Sequence, residues 1–98
     1  MIELTYTFKY PSSADTVVGG FEHFLNNPTE YYSDSWDDEV KAAYKLVIDN
    51  INKIEPTTRR GNNAVFRFER SRGLESALRI ILKQLFKNEF SAPGSIKF

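Results

Sequence analysis

Apolar and polar residues alternate strictly over the first ten positions. Ile2, Leu4, Tyr6, Phe8 and Tyr10 fall on one side of an extended chain, with Glu3, Thr5, Thr7 and Lys9 on the other. A period of two marks a half-buried strand, and the β-branched and aromatic content suits one. Pro11 ends the run, and Ser12 followed by Asp15 has the spacing of a capping box at a helix start. Val17, Phe21, Phe24 and Leu25 then recur at helical spacing up to Asn26-Asn27-Pro28, predicting a first helix. Gly19 and Gly20 sit inside it at a cost of about 1 kcal/mol each relative to Ala. Such a pair points to a kink or to the close approach of another backbone.

The next stretch, TEYYSDSW, is a loop rich in turn formers and large aromatics. Ser35-Trp36-Asp37-Asp38 repeats the capping spacing, with Asp37, Asp38 and Glu39 placed where the helix dipole favours negative charge. Val40, Ala43, Tyr44, Val47, Ile51 and Ile54 trace one apolar stripe, predicting a second helix of about 19 residues. Pro56 closes it. Thr57–Asn63 is a turn in which Gly61 and Asn62 suit positive φ, or one arm of a hairpin if Thr57–Arg59 is extended.

The most apolar part of the chain runs from Ala64 to Phe90. Ala64, Phe66 and Phe68 alternate with Val65, Arg67 and Glu69 as in a strand. From Leu74 the period lengthens: Leu74, Ala77, Leu78, Ile81, Leu82 and Leu85 form the core stripe of a helix, with Arg79, Lys83 and Lys87 on its far side. Ser91-Ala92-Pro93-Gly94 breaks that helix, and Ile96 and Phe98 follow at strand spacing, as a short third strand or a docked tail. The expected fold is α+β: a small two- or three-stranded sheet with three helices packed on one face, in the order β-α-α-β-α(-β).

The chain has 98 residues, a length that predicts one compact domain over 1–98 and burial of a little over ~60% of the unfolded surface. The composition is that of a globular protein, 41% hydrophobic and 27% charged. No apolar run approaches the ~20 residues that span a bilayer, and MIELTYTFKY lacks the form of a secretory leader. The expectation is a cytoplasmic protein without membrane contact. With no cysteine, disulfides, thiol nucleophiles and cysteine metal sites are excluded.

A formal net charge of zero conceals two opposite halves. Residues 1–58 hold four lysines against ten carboxylates, whereas residues 59–98 hold nine basic residues against three acidic ones. All six arginines fall between Arg59 and Arg79. Either the halves neutralise each other within the fold, or they form separate binding surfaces.

Enzyme chemistry has little to stand on in these residues. His23 is the sole histidine, so no zinc site can be built around it with cysteine or a second histidine. Asp34, Asp37, Asp38 and Glu39 lack the spacing of a calcium loop, and a helix start accounts for them. No nucleophile elbow and no phosphate-binding glycine motif occurs. The expectation is a non-enzymatic protein with no cofactor and no metal.

Two surfaces remain. Glu30, Tyr31, Tyr32, Asp34, Trp36, Asp37, Asp38 and Glu39 combine interface-prone aromatics with carboxylates that would steer a basic partner. They predict a small protein-binding module, an inhibitor or immunity-type protein that blocks a nucleic-acid-handling partner. The alternative is direct nucleic-acid binding by Arg59, Arg60, Arg67, Arg70, Arg72, Arg79, Lys83 and Lys87, because arginine's planar fork suits phosphate. The pI near 6.6 weighs against it. A sheet this small also exposes its edges, which invites pairing with a partner strand or with a second copy as a homodimer.

Overall fold

The computed structural model describes residues 1–91 and 96–97. Its elements in chain order are β1 (Ile2–Phe8), α1 (Pro11–Asn26), α2 (Asp38–Asp49), β2 (Thr58–Arg60), β3 (Asn63–Phe68), α3 (Leu74–Leu85), α4 (Lys87–Ser91) and β4 (Ile96–Lys97). Among the described residues the strands form one antiparallel sheet in the order β2-β3-β1-β4. The α+β class holds and the element order roughly follows the expected one, with β2 and α4 added, so that the described sheet has four strands where two or three were expected.

The strand alternation sets the two faces of the sheet. Leu4 pairs with Phe66, Tyr6 with Ala64 and Ile2 with Phe68, and these residues face the helices. Glu3 pairs with Arg67 and Thr5 with Val65 on the opposite face. Val17, Phe21 and Phe24 of α1, Ala43 and Val47 of α2, and Leu74, Leu78, Ile81 and Leu82 of α3 join the strand residues in a single buried cluster. Each fully buried Phe or Leu there contributes about 1.5–3 kcal/mol. Helix α1 lies on β1 and β3, while α2 packs along α3.

The hairpin alternative is the one realised. Arg60 pairs with Asn63, so Gly61 and Asn62 form a two-residue loop, with Gly61 at φ +60°. Asn62 keeps a negative φ, and its backbone oxygen accepts from the Phe8 N–H at 2.9 Å. A glycine at the first loop position matches the twist of the flanking strands.

Neither capping box forms. Tyr10 is the N-cap of α1 and Pro11 occupies its first turn, where a missing N–H costs nothing. Ser12 is thereby drawn inside the helix, where its backbone oxygen accepts from Thr16 Oγ1 at 2.9 Å. In α2 the N-cap is Asp37, which makes no side-chain capping bond, and Ser35 Oγ instead meets Ser33 Oγ at 2.7 Å.

Two helices end earlier than the sequence predicts. Helix α2 stops at Asp49, Ile51–Lys53 form a 3₁₀ turn, and Ile54 pairs with Phe68 as an isolated bridge. The Glu55 N–H then bonds to the Arg67 oxygen at 2.8 Å, so the sheet edge outcompetes further helix. Helix α3 breaks at Phe86, whose backbone (φ −122°, ψ 49°) leaves the helical region and whose ring is buried. The glycine pair does not kink α1, which runs unbroken through both positions. Of the two alternatives for the end of the chain, the strand is the one present, as Ile96–Lys97 pairing with Phe8 and Thr7. Ala92, Pro93, Gly94 and Phe98 lie outside the described residues.

Candidate functional site

The loop between α1 and α2 brings two aromatic rings against a third on α2, at the surface of the helix layer. Tyr32, Trp36 and Tyr44 touch one another, with centroids 5.6 Å apart for Tyr32–Trp36, 5.1 Å for Tyr32–Tyr44 and 5.8 Å for Trp36–Tyr44. Interplanar angles of 54° to 67° make this a tilted cluster, the favoured geometry for ring quadrupoles. Tyr44 anchors it: its ring also meets buried Phe24 at 6.2 Å, and its hydroxyl donates to the Pro28 oxygen at 3.2 Å. Trp36 is half-buried and Tyr32 is 40% exposed, so the cluster has a core side and a solvent side. Burial, with a smaller effect from Tyr32, pushes the Tyr44 hydroxyl above its ordinary pKa.

The predicted partner-binding residues divide into three groups. Tyr32 and Trp36 enter the cluster, and Asp34, Asp37 and Asp38 are exposed within two residues of Trp36 along the chain. Among the described residues these three carboxylates have no ion-pair partner. Asp37 and Asp38 lie at the N-terminus of α2. Glu30 and Tyr31 turn instead toward His23: Tyr31 Oη is 2.5 Å from Nδ1, and Glu30 Oε2 is 3.8 Å from Nε2. The Tyr31 ring packs on Phe24 at 5.5 Å. Glu39 borders a groove between α2 and α3 with Ala42, Ala43, Leu46 and Ile80. Tyr44 was legible in sequence only as a member of the core stripe. Trp36 lies in the loop before α2, so no helical spacing announces its contact with Tyr44.

The basic residues occupy more than one face. Arg59 pairs with Ala64 in register, on the helix side of the sheet, with Nε 3.5 Å from Asp15 Oδ1 of α1. Arg67 is on the opposite face, between Glu3 at 3.9 Å and Glu55 at 3.8 Å. Arg79 bridges to Glu75 at 3.5 Å, and its guanidinium sits 5.9 Å over the Tyr6 ring. Arg70 and Arg72 border a cleft of about 440 Å³ beside Ile2 and Glu75. Arg60 is exposed on β2, Lys83 follows Arg79 by one turn of α3, and Lys87 lies beyond the break, on α4. Asn62 Nδ2 is spent on the Lys9 oxygen at 3.3 Å.

Among the described residues no three His, Asp or Glu side chains converge to hold a metal ion, and no helix is long and apolar enough to cross a membrane. The chain matches no protein-family model, no curated protein and no solved structure.

Proposed function

We propose that this is a small non-enzymatic binding protein of the inhibitor or immunity type. It would block a nucleic-acid-handling protein by covering that protein's basic surface with Tyr32, Trp36 and Tyr44 and with the carboxylates of Asp34, Asp37 and Asp38. One observation carries the reading: an aromatic cluster anchored in the core and open to solvent lies close in the chain to three carboxylates that, among the described residues, have no ion-pair partner. Large rings anchored at one end lose little entropy on binding, and uncompensated charge next to them speeds encounter and sets register. Direct nucleic-acid binding has less behind it, because Arg59, Arg67 and Arg79 each already face a carboxylate and the basic side chains are spread over both sides of the sheet. The test replaces Trp36→Ala, or Asp37→Lys together with Asp38→Lys, and measures retention of the protein partner alongside thermal unfolding. Loss of the partner from a folded variant supports the reading, and retention by both variants overturns it.

A further inference from the structure

Among the described residues, the edge of β1 opposite β3 is paired only at Thr7 and Phe8. Hydrogen-bonding groups alternate sides along an antiparallel strand, and the Phe8 N–H points toward β3's side, to Asn62. Even-numbered residues of β1 therefore bond inward, and the N–H and C=O of Glu3, Thr5 and Thr7 point outward. Strand β4 pairs with Thr7 and Phe8. Among the described residues no segment pairs with this edge at Glu3 or Thr5. The register with β3 is continuous from Ile2 to Thr7, so no bulge protects the edge, and no proline interrupts it.

Helix α3 flanks this edge on the helix side of the sheet. Ile2 lines a cleft with Arg70, Arg72 and Glu75, and one turn further along α3 Arg79 lies over the Tyr6 ring. Lys83 follows on the same stripe. A strand added at Glu3 and Thr5 would thus lay alternate side chains along a flank with a surplus of cations. A second copy paired β1 to β1 would bring two such flanks together, which like charge disfavours.

We propose that the outer edge of β1 at Glu3 and Thr5 accepts an extended acidic segment of a partner protein as an added strand. The backbone ladder would supply affinity, and Arg72, together with Arg79 exchanging its exposed pairing with Glu75, would select carboxylates at alternate positions. The surface involves elements other than the Tyr32–Trp36–Tyr44 cluster, so it stands or falls independently of that site.

The test is a titration of the isotope-labelled full chain with a short peptide alternating glutamate and threonine, read by NMR at the Glu3 and Thr5 amides. Saturable shifts of those amides are expected. Binding should weaken at least about tenfold when alternate peptide nitrogens are methylated, when lysine replaces glutamate, or in Arg79→Glu. Thr5→Pro removes an outward N–H without touching the bonds to β3, and it should abolish binding if folded. No shift at Glu3 and Thr5, shifts confined to the Trp36 region, or equal binding of the lysine peptide would each overturn the proposal.

Discussion

The ring of Phe86 lies against the bare Cα of Gly20: a Cβ at that position would fall 2.5 Å from Cε1 and 2.8 Å from Cζ. This contact explains both the glycine in α1 and the break after α3. Leaving the helix at Phe86 turns its ring into the core, and only glycine leaves room for it. Gly19 has open space around it. Gly20→Ala should therefore destabilise the protein by about 1–3 kcal/mol through overpacking, whereas Gly19→Ala should be neutral or stabilise it by up to about 1 kcal/mol. In a Phe86→Ala background the Gly20→Ala change should become favourable. A double-mutant cycle by denaturant unfolding measures this sign reversal.

Tyr6 makes stability depend on alkaline pH. Burial raises its hydroxyl above the ordinary value, with the charge of Arg79 pulling the other way. In the unfolded chain the phenol ionises near pH 10 while the folded one keeps its proton, so the folded state binds more protons above that pH. Stability from this group is complete below about pH 10 and is lost as pH rises beyond it. Tyr44 acts in the same direction. Urea midpoints measured across that range should fall, and Tyr6→Phe should make the fall shallower.

Thr57 Oγ1 is buried and has no hydrogen-bond partner among the described residues. An unsatisfied buried hydroxyl costs about 1–3 kcal/mol, and valine has nearly the same shape without it. Thr57→Val should leave the fold unchanged and raise the thermal midpoint, measured by circular dichroism.

Trp36 is the sole tryptophan, so its emission reports directly on the candidate surface. Partner binding should shift that emission to the blue as the exposed side of the indole leaves water. Trp36→Ala removes edge contacts with Tyr32 and Tyr44 worth about 0.5–1.5 kcal/mol each, a loss a domain of this size survives. The variant should fold cooperatively and still fail to bind.

Much of the architecture is written locally in the chain. The two long strands declare themselves by alternation because one face of each is buried, as Leu4, Tyr6, Phe66 and Phe68 show. The α3 stripe is equally legible: Leu74, Ala77, Leu78, Ile81 and Leu82 are all buried. What the pattern misses is decided by distant contacts. Ile51 and Ile54 continue the α2 spacing, yet the bridge from Ile54 to Phe68 draws the chain onto the sheet instead. Strand β2 carries no apolar residue, because Thr58, Arg59 and Arg60 are all exposed and the ladder alone orders them. The aromatic and acidic surface was legible as a stretch but not as a shape. His23 draws Glu30 and Tyr31 away, and Glu39 borders the groove between α2 and α3 instead.

The most direct measurement is a nuclease-treated pull-down from host lysate, run in parallel with the wild-type chain, with Trp36→Ala carrying Asp37→Lys and Asp38→Lys, and with Thr5→Pro. Function through the aromatic and acidic surface requires one protein held by the wild type and by folded Thr5→Pro, but lost from the folded triple variant. A partner that persists on the triple variant, or that disappears with nuclease alone, would contradict it.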